Sequence, residues 1–353
     1  MAPTGAAHPS DHEAVTSSPA TSSPATSSPA ATDGGSPVTD RPVALVLGGS
    51  RGLGFLIARE LLDRGHHVIL AARDEDELVH AGQALEGRGP VTVEQCDVRD
   101  RHQVGELIGK VEHVVGPIEV LLTVAGVIQA APSESLALHE FEDAMDTMAW
   151  GPINAAMTVL PHMRRRGRGR IGTITSIGGM VSPPHLLPYA TAKFAAVGFS
   201  DGLAAALSGT GVTATTVVPG LMRTGGHVHA RFGGDAPAEY AWFAPAASLP
   251  LVSVDAERAA RRIVDGVLGG KAMVVLTPLA WVGIRVRGLA PATTTRLMGV
   301  AARLLPGPAP KVGARTVEGA EAGRRLGSPL VDRLSTLGHR AARRLQGERP
   351  GPR

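Results

Sequence analysis

The chain has 353 residues, of which 43% are apolar, so it is long enough for one large domain or two small ones with a sizeable core. Its formal net charge of +3 is too small to indicate nucleic-acid binding, and its single cysteine, Cys96, excludes an internal disulfide framework and a cysteine-rich zinc site. No apolar segment reaches the length of a membrane span and no basic-then-apolar leader opens the sequence, so we expect a cytoplasmic protein.

Residues 1–40 have low sequence complexity. The pentapeptide Thr-Ser-Ser-Pro-Ala occurs three times, at 16–20, 21–25 and 26–30. Such a composition buries too little apolar surface to offset the entropy of ordering the chain. We therefore expect a disordered tail, and a phosphorylated or partner-binding segment is the alternative.

From Arg41 onward, short apolar segments alternate with segments of helical periodicity. Repeated alternation with right-handed crossovers predicts an α/β fold, a doubly wound parallel sheet of about seven strands with helices on both faces. We assign this domain to residues 41–278, and expect two separate helices at about 139–150 and 152–166. The predicted strands are 43–47, 68–72, 91–96, 118–125, 171–175, 212–218 and about 272–277.

A glycine-rich loop joins the first predicted strand to a helix. Its glycines allow backbone angles and close approaches that side chains would block. The helix N-terminus offers free N–H groups and partial positive charge to a pyrophosphate, so this order of elements indicates a dinucleotide site. A plain tight turn is the alternative. The residues expected to contact the dinucleotide here are Gly48, Ser50, Arg51, Gly52, Leu53 and Gly54.

The end of the second predicted strand bears on the choice of cofactor. An NAD site usually places a carboxylate there to bind the ribose 2′-hydroxyl, whereas this strand ends in Ala72 followed by Arg73. Arg73 and Arg51 suit a 2′-phosphate, which a guanidinium binds through two hydrogen bonds. The sequence therefore favours NADP. In the alternative, both arginines are solvated and Asp74 serves NAD.

Tyr189 precedes Lys193 by four residues in a predicted helix, so both side chains lie on one helical face. A phenol with a pKa of about 10 is a poor proton donor at neutral pH, but a nearby ammonium lowers that pKa. Such a phenol can protonate a developing alkoxide or accept the proton in reverse. Ser176, at the end of a predicted strand, faces the crevice in which open α/β sheets bind ligands.

Together these features resemble the short-chain dehydrogenase/reductase family, over about residues 41–278. The glycine loop matches, although Leu47 stands where the family usually has threonine, and Ser176, Tyr189 and Lys193 match the catalytic serine, tyrosine and lysine. The resemblance assigns further cofactor contacts to Asp97 and Val98 beside adenine, to Ala125 and Gly126 in a segment that lacks the family's two asparagines, and to Pro219, Gly220 and Thr224 beside the nicotinamide carboxamide.

The resemblance implies a Rossmann-type fold and hydride transfer between a nicotinamide and a carbinol or carbonyl carbon. Ser176 would hydrogen-bond the substrate oxygen and Tyr189 would exchange its proton with that oxygen. Lys193 would bind the nicotinamide ribose and lower the pKa of Tyr189. Dimers and tetramers are common in the family, so we expect a homo-oligomer.

One position departs from the family pattern. Met148 stands where many members carry a catalytic asparagine, and a thioether cannot hold a proton-relay water as an amide does. Thr147, backbone carbonyls or solvent are the alternatives for the relay, whereas Asn154 lies on the opposite side of the helix. A catalytically weak, cofactor-binding regulator or scaffold is the alternative to an enzyme.

Residues 221–250 occupy the position of the family's substrate lid. They hold Tyr240, Trp242 and Phe243, which indicate a largely apolar and bulky small-molecule substrate, a carbonyl compound or an alcohol. In the alternative these residues pack against the body or a second subunit. Residues 279–353 form a C-terminal extension, expected to be partly helical or disordered. It is either a solvated tail or a basic amphipathic stretch that rests on an anionic membrane.

Overall fold

The computed structural model describes residues 39–249, 253–307 and 316–345. The tail predicted for residues 1–40 lies, except for its last two residues, outside this description. The strands are β1 (Val43–Leu47), β2 (His67–Ala72), β3 (Val91–Gln95), β4 (Ile118–Thr123), β5 (Gln129–Ala130), β6 (Gly169–Ile174), β7 (Val212–Val218), β8 (Leu221–Arg223), β9 (Arg231–Phe232), β10 (Ser253–Asp255), β11 (Met273–Val275) and β12 (Val317–Glu318). The α-helices are α1 (Gly52–Asp63), α2 (Glu75–Ala84), α3 (Arg101–Lys110), α4 (Leu138–Met145), α5 (Gly151–Arg166), α6 (Leu187–Ala206), α7 (Ala236–Ala246), α8 (Ala256–Leu268), α9 (Pro278–Leu289), α10 (Pro291–Ala302), α11 (Gly319–Leu326), α12 (Pro329–Leu334) and α13 (Thr336–Leu345).

Seven strands form one parallel sheet in the order β3-β2-β1-β4-β6-β7-β11. The chain builds outward from β1 to β3, then returns to place β4 on the other side of β1. Its direction across the sheet therefore reverses between β1 and β4, and ligands of open α/β sheets bind at such a reversal. This architecture confirms the predicted doubly wound, Rossmann-type fold.

The central strands of the sheet are buried on both faces, which explains why β1, β2 and β4 are mainly apolar. Successive side chains of a strand point to opposite faces, so Ala44 and Val46 of β1 pack on one side while Leu45 and Leu47 pack on the other. The first side is covered by α1, α2 and α8, and the second by α3, α5 and α6. The core therefore consists of two layers that hold the sheet edges in a fixed position.

The two helices predicted at 139–150 and 152–166 are joined without a break. Between α4 and α5 the residues Asp146–Trp150 form a π turn, in which the N–H of Gly151 donates to the carbonyl of Asp146. Pro152 lacks an N–H group, so it cannot continue the regular ladder there, and it sits in the first turn of α5 where that loss is tolerated. The proline therefore marks a local irregularity and not the boundary expected from the sequence.

The C-terminal extension is helical where it is described, and its last part returns to the predicted lid. Strand β12 pairs antiparallel with β9, which itself pairs parallel with β5. Helix α11 packs on α7, and α13 packs on α1 and on the turn Gly226–Val228. The lid is thus held on one side by a segment that lies almost one hundred residues later in the chain.

Candidate active site

A crevice opens at the carboxyl ends of β1, β4, β6 and β7, where the chain reverses its direction across the sheet. Its volume is about 910 Å³. Every catalytic and cofactor-binding residue predicted from the sequence lines this crevice. Their individual roles stay predictions, but the structure brings all of these residues around one space.

Two glycines shape the phosphate end of the crevice. Gly48 has a φ of +87°, and a Cβ atom there would lie 2.5 Å from the backbone nitrogen of Ala125. A Cβ atom on Gly54 would overlap the carbonyl group of Gly48. Helix α1 begins at Gly52, between these two glycines, and it has no capping side chain, because its N-cap residue is Arg51. The first N–H groups of α1 therefore need another partner, and a pyrophosphate is the ligand such a cradle fits.

The end of the crevice that is predicted to bind adenosine combines both signs of charge. The guanidinium of Arg51 lies 3.1 Å from a carboxylate oxygen of Glu77, and the hydroxyl of Ser50 donates to the other oxygen at 2.9 Å. Arg73 is exposed and lines the same end. Asp74 accepts a hydrogen bond from the N–H of Glu77 at 2.9 Å and so caps α2. Glu77 is therefore the acid that holds Arg51 and Ser50 at this end of the crevice. The sequence analysis looked for an acid at the end of the strand and missed Glu77, because it lies in the first turn of the following helix.

Asp97 and Val98 line the crevice beside this end. The guanidinium of Arg99 donates to both carboxylate oxygens of Asp97, at 3.1 and 2.9 Å. Burial acts to raise the pKa of Asp97, but the hydrogen bonds from Arg99, aided by the charge of Arg73, outweigh it and hold that pKa below its usual value. Asp97 is thus a carboxylate that can accept a hydrogen bond from a bound base.

Ser176, Tyr189 and Lys193 meet at the opposite end of the crevice. The hydroxyl oxygen of Ser176, just beyond β6, accepts a hydrogen bond from the N–H of Gly178 at 3.0 Å. The four-residue spacing on α6 places Nζ of Lys193 5.9 Å from the ring centre of Tyr189. Gly178 permits this close arrangement, since a Cβ atom there would lie 3.0 Å from Cε1 of Tyr189 and 3.4 Å from Oγ of Ser176.

Burial controls the ionisation of the tyrosine and the lysine. The ammonium of Lys193 donates to the carbonyl of Ile174 at 2.7 Å, and desolvation lowers the pKa of Lys193 to about 8. Desolvation also raises the pKa of Tyr189, and a hydrogen bond with Ser176 acts in the opposite direction. The expectation that Lys193 lowers the pKa of Tyr189 is wrong for this structure, because the ammonium is directed at a carbonyl and the phenol is buried.

Met148 is part of the apolar wall behind the catalytic residues. It packs with Ala144 and Ala192, and Tyr189 lies against the same cluster. Its sulfur would be 3.4 Å from a Cβ atom on Gly126. The thioether therefore fills space that a polar relay group would need, as its chemistry led us to expect.

Thr147 lies one residue earlier, in the π turn, and it lines the crevice. It is 5% exposed, and its hydroxyl has no hydrogen-bond partner among the described residues. An unpaired buried hydroxyl costs free energy unless a ligand or water binds it. Asn154 does not line the crevice. Of the two side chains weighed for the relay, Thr147 is the one in position.

The aromatic residues of the lid do not line the crevice. Tyr240 and Phe243 are buried, and the rings of both lie 5.6 Å from that of Phe232. The hydroxyl of Tyr240 is 3.0 Å from Nε2 of His339, on α13. The prediction of an aromatic substrate pocket is therefore wrong, and the alternative, packing against the body, is confirmed. The aromatic rings are needed to bury the returning C-terminal segment.

Other side chains surround the substrate end. The apolar ones are Val127, Ile128, Met222 and Ala230, and the polar ones include His229, Arg231 and Glu318. Glu318 belongs to β12, so the C-terminal extension contributes to the crevice. No local sequence signal could have placed Glu318 there, because its position depends on pairing between β12 and β9.

The described residues contain neither a cluster of metal ligands nor a helix that could cross a membrane. Within residues 39–249, 253–307 and 316–345, no three His, Cys, Asp or Glu side chains are grouped as metal binding requires. In the same ranges, no helix is both long enough and apolar enough to cross a membrane.

Comparisons with known proteins agree with this geometry. A family model for short chain dehydrogenases matches residues 42–231. A Streptomyces coelicolor protein named as a candidate ketoacyl reductase is 35% identical over 194 residues, which is 52% of this chain and 72% of that protein. A crystal structure of a Streptomyces avermitilis short-chain dehydrogenase is 26% identical with a TM-score of 0.63, over 75% of this chain and 99% of that one. A variant actinorhodin polyketide ketoreductase solved with NADPH is 27% identical with a TM-score of 0.58, over 68% of this chain and 97% of that one. The chain belongs to the short-chain dehydrogenase/reductase family and is an NAD(P)-dependent oxidoreductase.

Proposed function

We propose that the protein interconverts a carbonyl group and a secondary alcohol with NADP(H), and that Tyr189 is the general acid and base. One observation carries this proposal: Ser176, Tyr189 and Lys193 line one end of a crevice whose other end is a glycine cradle. The names of the Streptomyces coelicolor relative and of the ketoreductase solved with NADPH support the same reaction class.

The crevice fits a nicotinamide dinucleotide. A Cβ atom on Gly48 or Gly54 would overlap neighbouring backbone atoms, so this tight loop requires glycine at both positions. The N-terminus of α1 lines the crevice there with N–H groups that need a partner. The volume of about 910 Å³ extends from this cradle to Tyr189. When bound, the dinucleotide supplies or accepts the hydride.

The side chains at the other end supply the proton chemistry. Oγ of Ser176 accepts a hydrogen bond from Gly178, and the serine also hydrogen-bonds Tyr189. A substrate oxygen between the two hydroxyl groups would take over the hydrogen of Ser176. Tyr189 is a neutral phenol and can transfer its proton to that oxygen as negative charge develops there. Lys193, whose pKa is about 8, can then return a proton to the phenolate near neutral pH.

The adenosine end supports a preference for NADP. Arg73 is exposed beside the space that a ribose 2′-phosphate would take, and Arg51 offers a second guanidinium. The ion pair between Arg51 and Glu77 moderates this preference, since a phosphate must compete with the carboxylate. We infer NADP as the cofactor with NAD as a weaker alternative.

The substrate end supports a largely apolar substrate. Val127, Ile128 and Met222 provide its apolar wall, while Arg231 and Glu318 add a charge of each sign at its rim. Such a wall suits a hydrophobic carbon skeleton, and a few polar groups would orient it.

A panel of apolar ketones and β-ketoacyl thioesters, assayed with NADPH and NADH, tests this function. We expect an alcohol product by mass spectrometry, with kcat/KM about tenfold or more higher for NADPH, as two guanidinium groups at the 2′-phosphate would give. Tight NADPH binding without turnover of any carbonyl would contradict the proposal and would identify a cofactor-binding regulator.

A further inference from the structure

Helices α9 and α10 pack against each other as a hairpin and expose large apolar side chains. In α9, exposed apolar residues recur at intervals of three and four positions, so they form one stripe along the helix. The same spacing in α10 and the turn after it forms a second stripe. The α9 stripe consists of Leu279, Val282, Val286 and Leu289, which are 64%, 49%, 42% and 88% exposed. The α10 stripe consists of Leu297, Val300 and Leu304, which are 55%, 54% and 85% exposed.

The charge around these stripes has one sign. Residues 278–307 contain four arginines and no aspartate or glutamate. Helical spacing puts Arg285 beside the α9 stripe and Arg296 and Arg303 beside the α10 stripe, and all three are exposed. Trp281 is 49% exposed, and the guanidinium of Arg285 stacks 3.2 Å above its ring centre. Arginine and tryptophan at the border of an apolar face are typical of helices that lie in a membrane interface.

We propose that the α9–α10 hairpin docks on an anionic lipid surface. Acyl chains would bury both apolar stripes, and anionic headgroups would neutralise the arginines beside them. A second copy of the chain fits this face less well. In a two-fold dimer the same patch meets itself, so arginines would be brought toward arginines with no acid in either hairpin to pair them.

The other side of the hairpin contacts the turn that leads away from Ser176. Gly283 of α9 faces the turn that directly follows Ser176, where a Cβ atom on Gly283 would lie 3.6 Å from Ile177 and 3.8 Å from Val181. Docking would therefore bring the lipid surface close to the turn that follows Ser176. An apolar substrate dissolved in the membrane would have a short path to the crevice, although the docking itself does not depend on the chemistry of the site.

Co-sedimentation of the full chain with lipid vesicles tests the apolar part of the proposal. Vesicles of phosphatidylcholine alone are compared with vesicles that also contain phosphatidylglycerol. We expect binding to the anionic vesicles, and a loss of about 100-fold or more in the partition coefficient of the double variant Leu289→Glu, Leu304→Glu. The matched control is Leu330→Glu with Leu334→Glu, two exposed leucines of α12, which should bind as the unaltered chain does.

The charged part is tested by replacing Arg285, Arg296 and Arg303 together with glutamine. Loss of three positive charges should weaken partition into anionic vesicles roughly 100-fold, and added salt should weaken binding of the unaltered chain. Thermal unfolding of each variant confirms that it is folded. A chain that stays in the supernatant with both vesicle types would overturn the proposal. So would equal binding by the stripe and control variants, or a stripe variant that only dissociates an oligomer, which would assign the hairpin to a second copy.

Discussion

At the scale of single residues, Lys193 makes the stability of the protein depend on pH. Burial lowers its pKa from 10.5 to about 8 in the folded state. Between these values the unfolded state binds more protons, so the free energy of unfolding rises with pH across this window. Below pH 8 the lysine is protonated in both the folded and the unfolded state, so the free-energy cost of burying the ammonium does not change with pH. The gain across the whole window is on the order of 3 kcal/mol.

Chemical denaturation measures this effect. Lys193→Met removes the titration, so its stability advantage over the unaltered protein should shrink as the pH rises from 8 toward 10. Lys271→Met is the control, because Lys271 is exposed, and it should follow the unaltered protein at every pH. If the free energy of unfolding changed with pH in the same way for Lys193→Met and the unaltered protein, the lowered pKa of Lys193 would be contradicted.

Thr147 is expected to contribute to turnover rather than to stability. Its buried hydroxyl lines the crevice without a partner among the described residues, so Thr147→Val removes an unpaired polar group and keeps the shape. We expect unchanged or higher thermal stability and a kcat lower by about tenfold, the value of one hydrogen bond in the transition state. Thr147→Ser should retain most of the rate.

The matched control for this prediction is Thr158→Val. The hydroxyl of Thr158 donates to the carbonyl of Asn154 at 2.8 Å, away from the crevice, so the substitution should leave kcat unchanged. A Thr147→Val protein with full kcat would show that the relay uses backbone carbonyls or solvent instead.

Glu77 is expected to weaken NADPH binding. Its carboxylate holds Arg51 and Ser50, and it would repel a 2′-phosphate. A solvent-accessible ion pair contributes about 0.2–1 kcal/mol, and the pair of Arg51 and Glu77 is half-buried. The loss of repulsion adds to the loss of this competing pair, so Glu77→Gln should bind NADPH about threefold to tenfold more tightly. Fluorescence titration measures both dinucleotides. Glu75→Gln, exposed and outside the crevice, is the control. Weaker NADPH binding by Glu77→Gln would contradict the repulsion, and weaker NADH binding would show that the carboxylate serves the ribose 2′-hydroxyl.

At the scale of elements, the packing of α13 on the lid depends on Gly225. This residue has a φ of +77°, and a Cβ atom there would overlap the backbone of Ala342 in α13. Gly209 has the same φ of +77° but no atom within 4 Å of the added Cβ. The two glycines therefore separate backbone strain from the contact with α13.

Alanine at these two positions makes the contact measurable. Gly209→Ala should lower the free energy of unfolding by about 1–2 kcal/mol, the cost of left-handed backbone. Gly225→Ala should cost about 1–3 kcal/mol more, because the helix must also shift. Urea denaturation of both variants provides the comparison. Equal costs would show that α13 does not rest on this turn.

The π turn is the element that distinguishes this site from its expected form. The sequence placed Met148 at the position of the usual amide, and the structure buries that thioether against Ala192. The same turn directs Thr147 to the crevice. Periodicity cannot predict an extra residue in one helical turn, so the sequence suggested Thr147 only as one of several alternatives.

At the scale of the whole molecule, the sheet could be predicted well from the sequence, whereas the fold of the C-terminal extension could not. Strand β1 is an apolar run and β7 is rich in valine and threonine, and each is bounded by glycine and proline. The alternation of such segments with helices is enough to predict the doubly wound sheet. The glycine cradle and Ser176 follow strand ends, and Tyr189 and Lys193 lie in the first two turns of the next α-helix, so their meeting in one crevice was also predictable.

The return of the chain to its own lid was not predictable. The pairing of β12 with β9 involves two residues on each strand, and the burial of Tyr240 depends on α11 and α13. Neither contact leaves a local pattern in the sequence. The same aromatic residues that indicated a substrate pocket are therefore part of a core, and the substrate end includes Glu318, more than one hundred residues beyond Tyr189.

The turnover of Tyr189→Phe, measured with NADPH and the best ketone of the panel, tests the central claim most directly. Dissociation constants for NADPH are measured on the same preparations, and Tyr240→Phe, which loses only a contact with His339, is the control. We expect kcat to fall by about 100-fold to 10,000-fold in Tyr189→Phe, with NADPH binding retained and Tyr240→Phe close to the unaltered enzyme. Equal turnover by Tyr189→Phe and the unaltered enzyme would contradict a proton transfer by Tyr189.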